Sequence, residues 1–242
     1  MKRLLFILAV LLVGLASSAQ RKLEKEEFYL GAQGGYMASM VNFSPVVGQM
    51  AKHSFFGPTA GLVFRYAGHK ACALQLEVNY MQRGWQECRL MEVENAAGDR
   101  VVAEVTGYSR QLDYVEVPML FHLYFGRKFR GFLNLGPQIG YLVHESQKNV
   151  PDEFANAWED NLPSKTAHQY ARAEKPFDWG LAGGLGMYYR SKYAGVYQIE
   201  ARFNYSLGGV FNSTQMDYFS MCSPMNLSLT FAYMWQLHPH FK

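Results

Sequence analysis

The sequence predicts an all-β fold, an eight-stranded antiparallel transmembrane β-barrel with up-and-down meander topology. Three observations carry this expectation. The stretch Phe177–Leu207 alternates with period two: Phe177, Trp179, Leu181, Leu185, Met187 and Tyr189 share one parity, and Tyr197, Ile199, Ala201, Phe203, Tyr205 and Leu207 resume it after a short turn. Period two belongs to strands, not helices. The apolar parity carries the large aromatics while the other carries Glu and Arg, the reverse of a soluble lipocalin-like barrel and the pattern of a barrel with lipid outside and a polar interior. Eight such segments occur, joined by connections that alternate long and short, and closure of an even number of strands leaves no edge for lipid to meet.

The first strand is expected over Phe28–Ala38, where Gly31, Gly34 and Gly35 blur the parity. The second covers Phe55–Tyr66, with Phe56, Pro58, Ala60, Leu62, Phe64 and Tyr66 on one face. Ala67–Lys70 forms a tight turn. The third strand runs from Ala71 to Gly84, with Leu74, Leu76, Val78 and Tyr80 facing lipid and Gln75, Glu77, Asn79, Met81 and Arg83 inside. Trp85 to Gly107 reads as a long polar loop, in which Val101–Val105 offers a small extension of the sheet.

The fourth strand covers Gln111–Phe125, with Val115, Val117, Met119, Phe121, Leu123 and Phe125 apolar and Tyr114, Glu116, His122 and Tyr124 opposite. Pro118 lacks an amide donor, so a bulge or an unpaired position is expected there. After the turn Gly126–Phe129, the fifth strand covers Arg130–His144. Glu145–Pro176 is the longest connection, with a short helix expected around Asp152–Trp158. The Phe177–Leu207 hairpin supplies strands six and seven. Gly208–Pro224 is another long connection, and the eighth strand spans Met225–Gln236.

The N-terminus sets the compartment. Met1-Lys2-Arg3 is basic, Leu4–Leu15 is apolar, and Ser17-Ser18-Ala19 offers a cleavage site, so residues 1–19 read as a secretory signal peptide. Residues 20–27 form a polar leader, and 28–242 the barrel. The formal charge is +3, and loss of Lys2 and Arg3 leaves 21 basic against 20 acidic residues. Nothing in that balance points to nucleic acid. Three cysteines are too few for a disulfide framework. Cys88 and Cys222 both fall in expected loops and are candidates for one bridge.

The chemistry sits on the inward parity, which collects Arg65, Glu77, Arg83, Glu116, His122, Asp178, Arg190, Glu200 and Arg202. Mixed charges in a narrow interior are expected to pair, because isolated buried charges are costly. The expectation is a structural network of Arg65, Glu77, Arg83, Glu116, Asp178, Arg190, Glu200 and Arg202. Glycines on the same face make room for it. Catalysis finds no constellation: His144 and Ser146 lie near the top of strand five, with Glu145 facing away. The remaining histidines lack metal-ligand spacing, no phosphate loop or paired-cysteine motif occurs, and no cofactor is expected.

Several segments together resemble the PorT-like outer-membrane β-barrel family of the Bacteroidetes. They are Leu74–Tyr80 with Gly84, Leu112–Pro118, Leu135–Gly140, Asp178–Gly186 and Ile199–Gly208. The resemblance implies an outer-membrane location and an eight-stranded barrel, and it supplies no catalytic residues. One member of that family is associated with secretion and gliding machinery. The expected function is therefore a non-enzymatic outer-membrane barrel, structural or accessory to a surface or secretion assembly, with outer-membrane lipid and envelope proteins as partners. The alternatives are a narrow channel for small solutes or ions and a lipid-modifying enzyme.

Overall fold

The computed structural model describes residues 22–44, 51–69, 71–94, 100–126, 128–150, 172–191, 195–211 and 221–237. Alternation of apolar and polar side chains commits these residues to strands, since each face of a strand meets one environment. The strands are β1 (Lys22–Ser44), β2 (Ala51–His69), β3 (Cys72–Glu94), β4 (Arg100–Gly126), β5 (Phe129–Lys148), β6 (Phe177–Arg190), β7 (Val196–Ser206) and β8 (Met221–Leu237). Each pairs antiparallel with the next, and β1 pairs with β8 along Phe28↔Leu237 to Ser44↔Met221, so the sheet closes on itself as a meander.

The facing of the side chains follows the expected parity. On β3, Leu76 and Val78 are 41% and 47% exposed, whereas Gln75, Glu77 and Asn79 between and beside them are 0–2% exposed. The apolar parity therefore points out and the charged parity in, which rules out an ordinary water-soluble barrel on physical grounds. The same outward band continues through Leu133, Leu135 and Ile139 on β5, Leu181 and Leu185 on β6, and Leu227, Leu229 and Phe231 on β8. β1, unresolved from sequence, turns Tyr29, Gln33, Met37, Ser39 and Val41 inward.

Aromatic pairs cluster on the outer wall beside the short turns. Phe28 stacks near Tyr66, Phe129 near Tyr189 and Tyr197 near Tyr233, each with ring centroids 5.0 Å apart, and Tyr233 meets Trp235 edge-on at 4.6 Å. Two of those turns need a residue in the left-handed region, which Gly126 (φ 114°) and Gly195 (φ 84°) supply.

Two expectations change. The segment Trp85–Gly107 is not a polar loop. β3 runs on to Glu94 and β4 starts at Arg100, with pairing unbroken in direction from Cys88↔Thr106 to Glu94↔Arg100. Trp85 is fully buried inside the barrel. β1 begins at Lys22, within the segment read as a leader. Pro118 takes the second of its two expected forms, an unpaired position without a bulge: the β4–β5 register is the same at Pro118↔Gln138 and Phe121↔Leu135. Its cost falls on the β3 side, where the register skips from Leu76↔Met119 to Asn79↔Glu116 without shifting. The real irregularity on β5 lies higher, between Asp113↔His144 and Tyr114↔Leu142, where Val143 is the extra residue. Residues 1–19 and the expected helix at 152–158 lie outside the described residues.

Candidate functional site

The interior is a stack of layers, each built by the inward parity of several strands. At the short-turn end, Arg190 of β6 donates to both carboxylate oxygens of Glu27 on β1, at 2.7 and 3.0 Å, and to Gln236 Oε1 at 3.1 Å. Tyr29 Oη donates to the same carboxylate at 2.6 Å. Above this rim lies an aromatic layer of Tyr29, Tyr124, Phe132 and Tyr188 with Val63, Ala67, Ala73, Val196 and Met234. His122 is enclosed in it, 4.8 Å from the Phe132 ring, with Nδ1 2.7 Å from Asn134 Oδ1. Arg130 lies over Tyr124 at 5.2 Å, and Arg65 over Tyr188 at 5.5 Å.

Arg65 then leads into the charged band. Its Nε donates to Gln75 Oε1 at 2.7 Å, and its Nη2 donates to Gln198 Oε1. Gln75 and Gln198 pass the chain of bonds on, donating to Glu77 at 2.5 Å and to Glu200 at 3.1 Å. At the centre, Arg202 of β7 reaches Glu77 of β3 through Nη1 at 2.6 Å and Nη2 at 2.7 Å, and reaches Glu200 through Nε at 2.8 Å and Nη2 at 2.9 Å. Glu77 also accepts from Gln33 and Asn79, each at 2.7 Å. Bidentate guanidinium–carboxylate geometry with the remaining lone pairs satisfied is the arrangement in which a buried ion pair offsets its desolvation.

One layer higher, Arg83 donates to Asp178 at 2.8 Å and contacts Glu116. Ser206 donates to Asp178, and Asn204 donates to Gln138 Oε1 at 2.6 Å. Glycines provide the room: a Cβ on Gly184 would stand 2.2 Å from Glu200 Oε1, and one on Gly140 would stand 3.2 Å from Glu116 Cγ.

The long-connection end is closed by a second apolar cluster: Met37, Val41, Met81, Trp85, Tyr108, Leu112, Tyr114, Val210 and Phe211. Arg110 crosses it with its guanidinium 5.2 Å from the Trp85 ring and 5.0 Å from the Phe211 ring, and pairs with Glu145. Glu145 accepts the Ala173 amide at 3.1 Å, and Lys175 N donates to Val210 O at 3.2 Å. The described ends of the two long connections are thereby tied to each other and to the barrel wall.

Of the eight expected network residues, the structure joins Arg65, Glu77, Glu200 and Arg202 in one hydrogen-bonded layer and Arg83, Glu116 and Asp178 in the next. Arg190 stands apart at the rim on Glu27. Three participants were not anticipated. Glu27 lay in the supposed leader. Arg110 continues the inward parity of β4 below its expected start, a usable signal. Glu145 turns inward because the Val143 bulge inverts the parity of the strand above it, and no sequence feature announces that.

His144 is exposed, Ser146 is half-buried and Glu145 is engaged with Arg110, so the three do not converge. Among the described residues no group of three or more His, Cys, Asp or Glu side chains is placed to hold a metal ion. Cys88 lies on β3 and Cys222 on β8, with β1 and β2 between them in the ring. Their side chains, and with them the expected bridge, lie outside the described residues. Cys72 is a free thiol.

A family model described as the outer membrane protein beta-barrel domain matches residues 18–212. The chain belongs to that family. It is accordingly an outer-membrane protein, and β8, beyond the matched segment, completes the ring by pairing with both β7 and β1. Among solved structures, OprG from Pseudomonas aeruginosa is similar with a TM-score of 0.48 at 11% identity, covering 89% of this chain and 97% of that one. Ail, the attachment invasion locus protein of Yersinia pestis, gives 0.40 at 12% identity, covering 86% and 99%. Neisserial surface protein A gives 0.40 at 11% identity, covering 87% and 99%. These likenesses carry no argument about activity. No curated protein matches the chain. In this outer-membrane barrel the functional question is what its filled interior permits.

Proposed function

We propose that the protein is a non-enzymatic outer-membrane β-barrel, a PorT-like member of its family, with a structural or accessory role in a surface or secretion assembly of the cell envelope. The observation that supports this reading is the filling of the inward face from end to end. An aromatic layer at one end and the Trp85–Phe211 cluster at the other enclose a band of paired charges. An eight-stranded barrel is just wide enough for side chains to fill it, and a filled barrel offers its walls and rims, not a path.

The strands cross the membrane in this reading. β7, the shortest at 11 residues, suffices for a tilted strand of about 9–11 residues. Residues 1–19 are removed on export. The short turns face the periplasm and the long connections face the medium. A narrow channel requires the charged band to be hydrated from both ends, which the two apolar layers oppose. A lipid-modifying enzyme requires a converging nucleophile and base, which His144 and Ser146 do not make.

Reconstitution of the purified protein in planar bilayers tests the sealed barrel: no steady unit conductance is expected, and a sizeable, reproducible one overturns it. Affinity isolation from native outer membranes in mild detergent tests the accessory role, for which a stoichiometric envelope protein is the expected companion.

A further inference from the structure

The outer wall carries a seam at the short-turn end. Tyr189 of β6 and Tyr197 of β7 stand directly opposite each other, as do Met187 and Ile199 farther from the turn. Side chains opposite each other on one face of a sheet ordinarily interact. These two rings lean apart. Tyr189 pairs with Phe129 of β5 at 5.0 Å between centroids, and Tyr197 pairs with Tyr233 of β8 at 5.0 Å and with Phe231 at 6.5 Å. The space they leave is a cleft of about 150 Å³, walled by Met187, Tyr189, Tyr197 and Ile199 with Phe129 and Phe231 beyond them. Tyr188 and Gln198 also border it, yet both are buried inside the barrel, so the floor of the cleft is main chain.

The cleft lies on the lipid face, and water there would lack the polar partners it needs. Neighbouring strands lie about 4.8 Å apart, so a seam between two of them admits a single polymethylene chain. A helix, about 10–12 Å across with its side chains, spans the seam without entering it. Two barrels meet through convex walls, which leaves such a seam empty. Charge completes the choice. Lys128 is exposed and precedes Phe129 in the β4–β5 turn, and its carbonyl accepts the Arg190 amide at 3.3 Å, which holds that turn beside the end of β6 and the mouth of the cleft. An ammonium on a flexible apolar stem at the level of the headgroups is suited to a lipid phosphate.

We propose that the β6–β7 cleft holds one acyl chain of an anionic phospholipid from the leaflet on the short-turn side, with the Lys128 ammonium on the phosphate and the Tyr189 and Tyr197 rings flanking the chain. This goes beyond the accessory reading and does not rest on it. It makes one stretch of the aromatic girdle a site, where the rest of the girdle is a general lipid contact. An empty gap among the rings would forfeit dispersion contacts, and a flexible chain laid along the seam restores them. The phosphate then fixes the end of that chain at the turn, so the apolar and the charged contacts select the same molecule.

The test uses the full chain in phosphatidylcholine nanodiscs doped with a phosphatidylglycerol whose acyl chain carries a diazirine, with cross-links mapped by mass spectrometry. Labelling should concentrate on Met187, Tyr189, Tyr197 and Ile199 over Leu74 and Phe121, a cross-strand pair exposed on the opposite wall. Lys128→Gln should lower labelling of the cleft by about fivefold, the scale of one basic residue at a lipid surface. The same diazirine carried on phosphatidylcholine should label the cleft no better than phosphatidylglycerol labels that variant. Ile199→Trp should fill the cleft and bring its labelling down to the level of Leu74 and Phe121. The heat-shift of each variant on gels verifies folding. Equal labelling of both walls by phosphatidylglycerol overturns the site. Cleft labelling that ignores both the headgroup and Lys128→Gln overturns the anionic lipid as its occupant. Chain-to-chain cross-links from a photoreactive residue placed at Met187, in discs holding two barrels, assign the cleft to a second copy and overturn the proposal as well.

Discussion

Arg202 on β7 spans the barrel to Glu77 on β3, the strand diametrically opposite in the ring, through two hydrogen bonds of 2.6 and 2.7 Å. A contact across the lumen fixes the spacing of opposite walls, whereas a contact between neighbours fixes only local register. Arg202 is 3% exposed and Glu77 1%, so neither charge has water to fall back on.

Replacing Arg202 by Leu should therefore leave Glu77 and Glu200 buried without their cation. The expected loss is about 3–5 kcal/mol, the order for a broken buried pair. Replacing Glu77 and Glu200 by Met together with Arg202→Leu should cost less than the single change, because no orphaned charge remains. Urea unfolding in lipid vesicles compares the two. A triple variant less stable than the single one would show that the network does more than satisfy itself.

The glycines on the inward face make a second, finer expectation. A Cβ on Gly184 would lie 2.2 Å from Glu200 Oε1, while a Cβ on Gly183 meets only Leu135 Cδ1 at 3.7 Å. Gly184→Ala should thus displace Glu200 from Arg202 and destabilise by about 1–3 kcal/mol, as overpacking does. Gly183→Ala should be close to neutral. The thermal midpoints of the two heat-modifiable barrels, measured side by side, check the contrast.

Compartment and sidedness are tested on cells. Fractionation should recover the processed chain in the outer membrane, with boiled and unboiled samples migrating differently. In a background lacking the native cysteines, Ala157→Cys should label on intact cells. Ser191→Cys should label only after the outer membrane is opened. The opposite pattern reverses the orientation.

Period-two alternation made the strands and their facing legible, because burial acts on every second residue and leaves a readable trace from Leu74 to Arg83 or Val196 to Ser206. The ends were less legible. Past Trp85 charged and polar residues become frequent in the sequence, and composition then looks like a loop although the backbone keeps pairing to Glu94. Glu27 was obscured for the same reason, being one charge in the run Lys22–Glu27. Glu145 illustrates a different limit. A single extra residue at Val143 inverts the faces above it, and a bulge is set by how the chain closes at the mouth, a tertiary property absent from local pattern.

The mouth itself yields the last prediction. Arg110 lies between Trp85 and Phe211 and is tied to Glu145, which holds the Ala173 amide at 3.1 Å. Two effects are superposed there, apolar packing and a latch, and they separate by substitution. Arg110→Met retains a long side chain between the rings but removes the charge. Glu145 keeps the amide of Ala173 and retains some exposure, whereas Arg110 is fully buried, so the global stability should fall by about 1–3 kcal/mol, the cost of a buried group left without its partner. The local consequence should be larger: hydrogen exchange at residues 172–176 and 207–211 should accelerate, since local opening is governed by local contacts. Trp85→Ala should behave in the opposite manner. It empties a fully buried indole site, and the expected cost is about 3–5 kcal/mol of global stability from lost burial and the cavity left behind. Exchange mass spectrometry and unfolding on the same two variants distinguish latch from plug. If Arg110→Met lowered the global midpoint as far as Trp85→Ala, the mouth would be one cooperative unit and the latch would not exist as a separate device.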